Sequence, residues 1–370
     1  MNNIPPVVPP FFRIALDVGF HSFKVSAVFD DKLYTFTMPS VVGVGDTSLG
    51  LLQTGITRQK RNLPFVVTFD NQSYLVGSYV SLYARPIERV DFDRLSYCLE
   101  LRVLIYAAIS GLLSQIARDG HLVHTDPVNM GLILALPVQV LQSAKSKQVI
   151  QALESWMVGS HVFDLDNTSC SFNIQMIKAM AQPLGSFFEW GLNLNGEWQR
   201  SSSDLKTSIG ILDQGFNTTD LFHIHQGQIV KRYTGGETLG QRRAAKLMQD
   251  LIEQHAGRKV TLYEADAYLR QSANGHTVEM VVRGKKFDLK PLSRQALDVA
   301  SGELRAYLSQ IWEDGKQFDY ILLTGGGALA MGSRLRSIFP QVIDLSDPVT
   351  ANARGLARFA HRKGVLNQVA

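Results

Sequence analysis

Two distant stretches of this chain share one design, an apolar run ending in Asp-x-Gly that turns into a second run of strand-forming residues. In the first, residues 13–17 lead through Val18 and Gly19 to residues 23–29. In the second, residues 208–213 lead through Gln214 and Gly215 to residues 221–225. A third strand is predicted after each, at 33–37 beyond Asp30-Asp31-Lys32 and at 229–233 beyond Gln226-Gly227. A unit of this length repeated once is no solenoid, so the pattern predicts two alike domains facing each other. The chain has 370 residues, 45% of them hydrophobic, which suits two cores better than one.

The rest of the sequence fills this frame. Tyr74 and Val76 follow the turn Asp70-Asn71 in a predicted hairpin, after a polar, glycine-rich loop over 43–62. Leu101, Leu104, Ile105, Ala108 and Leu112 recur at helical spacing and predict a helix over 97–116. A buried strand is expected at 131–135, a helix from Pro137 to about residue 156, and strands at 161–165 and 171–177 around Asp166-Asn167. Pro183 opens another helix. The polar segment 193–206 then breaks the pattern and is the expected domain boundary. In the second half, Gly235-Gly236 is expected to lead into a helix over 237–255, followed by a long helix over 293–312. A buried strand at 320–323 runs into Gly325-Gly326-Gly327, then helices start near Ser333 and at Pro348. The expected division is a proline-rich leader at 1–10, one domain of residues 11–192 plus 349–370, and a second of 193–348.

Composition excludes more than it selects. The net charge of +4, from 37 basic against 33 acidic residues, is too mild for a nucleic-acid binder, and the pairs Lys231-Arg232, Arg242-Arg243 and Lys285-Lys286 read as solvated faces. No apolar run is expected to reach the roughly eighteen residues that span a bilayer, the runs at 101–113 and 130–140 being broken by Arg102, Ser110 and Pro137. Residues 1–10 lack a basic start and do not read as a signal peptide. The cysteines, Cys98 and Cys170, have no metal or redox spacing and suit a reducing cytoplasm. His223 and His225 share a strand face without a third ligand and read as ordinary strand histidines.

The chemistry lies in the turns. An aspartate at the end of a buried strand can hold hydrated Mg2+ through water, and the following glycine lets backbone amides approach an anion. Lys24 can then reach the same anion as a point charge. Asp17 with Gly19 is by itself an ordinary turn. The same acid and glycine at Asp213 and Gly215, followed by the hydroxyls of Thr218 and Thr219, make a pair that can clamp phosphates from opposite sides. The glycine triplet allows a flat ring or a sugar to lie against backbone, and Gly236 with Glu237 offers a further turn whose carboxylate suits ribose hydroxyls. No dinucleotide-binding fingerprint or Walker A sequence is present.

The order of these motifs resembles the superfamily of actin, DnaK-type chaperones and sugar kinases, across nearly the whole chain. Within it, Ala181-Gln182-Pro183-Leu184-Gly185 and the closing Asp347-Pro348-Val349-Thr350-Ala351-Asn352-Ala353-Arg354-Gly355 are most similar to ParM-type bacterial and archaeal actins. The resemblance implies an α/β actin-like fold: two duplicated domains, with mixed sheets flanked by helices, around a cleft for Mg-ATP, with GTP left open. It implies metal-associated Asp17 and Asp213, phosphate contacts at Gly19, Lys24, Gly215, Thr218 and Thr219, and nucleoside contacts at Gly236, Glu237, Gly325, Gly326 and Gly327. Gln182 would orient the attacking water, with Glu189 the alternative under a different helix register. An amide is no strong base, so orientation and charge stabilisation would carry catalysis. The family implies a cytoplasmic ATPase that self-associates into filaments and moves plasmid DNA through an adaptor, without direct DNA or membrane contact. A small-molecule kinase of the same fold is the second reading, with Asp91, Asp93 and Asp126 as conceivable carboxylates. Phe20 and Phe216 depart from the smaller residues common after these glycines and would either point outward or crowd the terminal phosphate.

Overall fold

The first apolar run is strand β1 (Phe11–Val18), which turns through Gly19 into β2 (Ser22–Phe29) and β3 (Lys32–Pro39). The computed structural model describes residues 10–45, 63–87, 98–120, 127–362 and 365–366. Strands β4 (Val42–Val44), β5 (Phe65–Phe69) and β6 (Gln72–Val76) follow, then helix α1 (Leu99–Arg118) and strand β7 (Val128–Leu136). The expected single helix after Pro137 is two, α2 (Val138–Gln142) and α3 (Ser146–Met157), because Ser143 is extended and breaks it. Strands β8 (Gly159–Leu165) and β9 (Thr168–Ala181) turn at Asp166-Asn167, both left-handed, and β9 runs straight into α4 (Gln182–Gly191). The nine strands form one mixed sheet, β3-β2-β1-β7-β9-β8-β5-β6-β4, in which β1, β7 and β9 are parallel neighbours.

The second half rebuilds the same start. Strand β10 (Ser208–Gln214) pairs antiparallel with β11 (Thr219–His225), as β1 does with β2. Strand β12 (Gln228–Ile229) is only two residues long, and the predicted third strand ends in a 3-10 turn at Lys231–Tyr233. Gly235-Gly236-Glu237 is not a helix start but strand β13 (Gly235–Glu237), paired with β11; helix α5 (Gln241–Ala256) begins later. Helix α6 (Leu262–Ala273) and the hairpin β14 (Glu279–Val282) with β15 (Lys285–Asp288) occupy a region where the sequence predicted no element. Helix α7 (Lys290–Trp312), strand β16 (Tyr320–Thr324), helix α8 (Ala328–Ile338), strand β17 (Val342–Asp344) and helix α9 (Ala351–Ala360) complete the chain. The second sheet has the order β12-β11-β10-β16-β17, with β13 on β11, and β10 is parallel to β16 as β1 is to β7.

Each sheet has its own core. Phe12, Leu16, Val25, Leu104 and Leu132 pack in the first, and Leu212, Met248, Leu297 and Leu323 in the second, all of them buried. Each such side chain stabilises the fold by about 2 kcal/mol through removal from water. Helix α1 is, by length and composition, apolar enough to cross a membrane despite Arg102, which corrects the expectation from the sequence. Yet 72% of that stretch is buried inside the fold, as befits a core helix.

Helix α9 comes from the end of the chain and packs on β1 and β2, where Leu356 joins Ala15 and Ile133 in an apolar cluster. It crosses α4 almost backbone to backbone. A Cβ at Gly185 would overlap the carbonyl of Asn352, and one at Gly355 would overlap the carbonyl of Gly185.

Candidate functional site

The two Asp-x-Gly turns meet. Asp17 is the last residue but one of β1, beside Ala135 of parallel β7, and Asp213 the last but one of β10, beside Thr324 of parallel β16. Ligands of open α/β sheets bind outside such carboxyl ends of strands. One cleft is lined by Asp17, Gly19, Lys24 and Gln182 from the first half and by Asp213, Gly215, Thr218, Gly325 and Gly326 from the second. The convergence that the repeat predicted is therefore present among these residues.

Each acid is held by its own partners. Asp17 accepts from Lys24 Nζ at 3.0 Å and from Gln182 Nε2 at 2.8 Å, and the same amide nitrogen donates to the Val18 carbonyl at 3.2 Å. Asp213 accepts from Asn352 Nδ2 at 2.6 Å. Burial, reinforced by the charge of Asp17, raises the Asp213 pKa to about 6. A third acid, Asp220, stands opposite Asp213 across the β10–β11 pair and is 1% exposed. It accepts from Thr218 Oγ1 at 3.0 Å and from the Val138 backbone at 3.3 Å. Burial first, and then the charge of Asp213, raises its pKa to about 7. Sequence reasoning gave Asp220 no role, although a charged residue inside the apolar β11 was the available signal.

Burial, and after it the neighbouring carboxylate, raises Asp213 and Asp220, and a divalent cation, which prefers hard oxygen, would relieve both. Among the described residues no three His, Cys, Asp or Glu side chains form a direct-ligand cluster. Asp17 and Asp213, with Asp220 behind, thus suit a cation held through water.

The pKa shift has a consequence for the ligand-free protein. A carboxylate with a raised folded-state pKa stabilises the fold fully below its unfolded pKa and loses that contribution as pH rises to the folded one. For Asp220 this window runs from 3.8 to about 7. Asp220→Asn keeps an acceptor for Val138 and a partner for Thr218, so it should raise stability near pH 8 by on the order of 2 kcal/mol. The gain should vanish near pH 4, which thermal melts of both proteins across that range will test.

Other expected residues lie elsewhere. Thr219 is buried, its hydroxyl donates to Gln214 Oε1 at 2.7 Å, and it does not line the cleft. Gly327 opens α8, where its amide donates to the Gln214 carbonyl, and it does not line the cleft. Gly236 and Glu237 do not line it either; they sit on β13, with Glu237 exposed. Glu189 is buried in the α4–α9 packing, 2.7 Å from Arg354 and 3.3 Å from Arg358, away from the acids. His223 is buried, with Nε2 2.8 Å from Ser208 Oγ. Asp91, Asp93 and Asp126 lie outside the described residues.

Two of the cleft-lining residues, His21 and Phe216, belong to a ring stack that the sequence did not reveal. The His21 ring lies between Phe216, at 4.5 Å, and Tyr263 of α6, at 5.3 Å. Burial lowers the His21 pKa to about 4, so the ring is neutral and its 3.5 Å approach to Asp266 is not an ion pair at pH 7. Phe216 packs on His21 and lines the cleft, so it does not point outward. Beside the stack, Arg270 bridges Asp266 at 2.7 Å and the Gly326 carbonyl at 2.9 Å. Gly325 takes φ of 86°, a conformation that glycine adopts without strain. The space left in the cleft is about 60 Å³.

Residues 15–185 match the family of actin-like protein N-terminal domains, and residues 211–337 match the C-terminal domain of archaeal MreB-like actin homologues. Among solved structures, the chain is similar to the ParM of a 15-stranded filament from Clostridium botulinum, with TM-score 0.73 and 20% identity over 95% of this chain and 99% of that one. It is similar to an archaeal actin homologue in complex with ADP, with TM-score 0.71 and 18% identity over 95% and 100% of the two chains. Bacillus thuringiensis ParM with ATP gives TM-score 0.65 and 15% identity over 94% and 97%. At these identities the likeness establishes the fold, that of actin homologues with two domains and mixed sheets flanked by helices. No curated protein matches the sequence.

Proposed function

This is an actin-like chain, with an actin-like N-terminal domain and an archaeal MreB-like C-terminal domain, and from that premise we propose that it binds and hydrolyses Mg-ATP between two domains and assembles into nucleotide-dependent filaments. The domains are 11–192 plus 349–370, and 193–348. The observation that carries the reading is the meeting of Asp17 and Asp213, from two equivalent hairpins, in one cleft with Lys24 and Gln182. The backbone at Gly19 and Gly215, with Lys24, holds the phosphates. Gly325 and Gly326 carry the nucleoside, with Arg270 beside them. The cleft has room for about 60 Å³ as it stands, so nucleotide entry requires its two sides to part.

Bound Mg2+, held through water by Asp17 and Asp213, would neutralise charge on the phosphates. The chain's own part in hydrolysis is orientation. Gln182 Nε2 is committed to Asp17 and Val18, which leaves its amide oxygen to accept from the attacking water. Gln182→Ala should therefore lower turnover by about 30-fold, with ATP binding retained. Phosphate release and equilibrium binding, measured together, check this; unchanged turnover removes Gln182 from the mechanism.

ATP is the nucleotide of this reading, with GTP left open; similar proteins solved with ADP and with ATP support it. Filament assembly draws support from the similar ParM filament. A cytoplasmic role in plasmid or DNA segregation, through an adaptor rather than direct DNA contact, accords with the mild net charge. Sedimentation and electron microscopy with Mg-ATP, Mg-GTP and no nucleotide test the proposal. Pelleting filaments only with nucleotide are expected, and failure of either nucleotide to raise the melting temperature overturns it.

A further inference from the structure

Helix α4 addresses both acids of the cleft from one face. Gln182 and Ser186 are four residues apart and so lie one above the other. Gln182 reaches Asp17 directly. Ser186 reaches Asp213 through one intermediary: its hydroxyl donates to Asn352 Oδ1 at 2.7 Å, and Asn352 Nδ2 donates to Asp213 Oδ2 at 2.6 Å. Ser186, Asn352 and Asp213 are 0%, 4% and 5% exposed, so water does not compete for these bonds. A carboxylate can only accept, which assigns the Asn352 nitrogen to Asp213 and its oxygen to Ser186. Both ends of the amide are fixed.

Asn352 stands in the first turn of α9, where that helix presses on α4. The would-be overlaps at Gly185 and Gly355 show that no side-chain layer separates the two backbones. Close-packed surfaces without such a layer transmit displacement rather than absorb it.

We propose that Asn352 is a positioning residue that couples the carboxylate of Asp213 to the α4–α9 helix pair, so that occupancy of the cleft is passed to these helices through Asp213, Asn352 and Ser186. The inference rests on the reading of the cleft as a Mg-nucleotide site. A shift of Asp213 toward the cleft draws Asn352, and α9 with it. Ser186 then carries the motion into α4, whose Gln182 adjusts at Asp17. The chain thereby sets the water-orienting residue by the state of the opposite acid.

Hydrogen exchange of the wild type, Asn352→Ala and Ser186→Ala, with and without Mg-ATP, tests the coupling alongside melting temperature and turnover. In the wild type, Mg-ATP should change exchange at α4 and α9 amides. Asn352→Ala should keep a Mg-ATP-induced rise in melting temperature, lose the change at α4 and lower turnover roughly tenfold. Ser186→Ala should do the same to a smaller degree, and the double variant should be no worse than Asn352→Ala alone. If Asn352→Ala fails to fold, Ser186→Ala decides, since it removes one hydroxyl. A retained α4 response, or strictly additive effects, overturns the relay while leaving the nucleotide site intact. A wild type indifferent to Mg-ATP in both melting and exchange overturns the site itself and the relay with it.

Discussion

Asp213→Asn should abolish most ATP hydrolysis while leaving the ligand-free protein at least as stable as the wild type. The substitution is isosteric, and the amide oxygen it introduces can still accept from Asn352. What it removes is a charge buried in the cleft with its pKa raised to about 6 by burial and by Asp17. In the ligand-free protein that charge is a cost, because it faces Asp17 and Asp220 with little water to screen them. In the loaded protein the same charge would hold the hydration shell of Mg2+ against the phosphates. Loss of one electrostatic element of a preorganised site costs about a hundredfold in rate, or about 3 kcal/mol. Phosphate-release kinetics and melting curves near pH 8 should move in opposite directions. A variant that hydrolyses ATP at the wild-type rate would remove Asp213 from the chemistry.

The same residues show why the acids were legible in the sequence and their surroundings were not. Asp17 and Asp213 stand out because each ends an apolar run and precedes a glycine, and because the pattern occurs twice. Local signals of this kind also placed α1, β7, β10 and β16. Asp220 carried a weaker signal, one acid within β11, and its importance comes from register: it lies opposite Asp213 only because the turn between them has the length it has. Thr218 and Thr219 could be told apart only once the start of β11 was known. Gly235-Gly236-Glu237 resembles a helix start because a glycine pair precedes a helical pattern, whereas pairing with β11 claims its backbone as a strand. His21, Phe216, Tyr263 and Arg270 come from three separate segments, and no spacing along the chain announces that they meet. Asn352 is similar, lying 139 residues beyond the aspartate it holds.

The crossing of α4 and α9 should prove the most sensitive place in the fold to a single methyl group. At Gly355, an added Cβ would overlap the carbonyl of Gly185 and press on the amide of Glu189. These are backbone atoms inside helices, so relief requires the helices to separate. Separation would strain the ion pairs that bind Glu189 to Arg354 and Arg358, and the bonds from Arg358 to the carbonyls of Glu189 and Leu192. Gly355→Ala should therefore cost about 3 kcal/mol, despite the higher helix propensity of alanine. Gly302 of α7 supplies the contrast, since it is exposed and a Cβ there would meet nothing within 4 Å. Gly302→Ala should stabilise the protein by about 0.7 kcal/mol. Denaturant unfolding of the two variants separates propensity from packing, because the chemical change is identical and the expected signs are opposite. Equal and small effects would mean that α4 and α9 slide freely. In that case a rigid helix pair could not carry the state of Asp213 to Gln182.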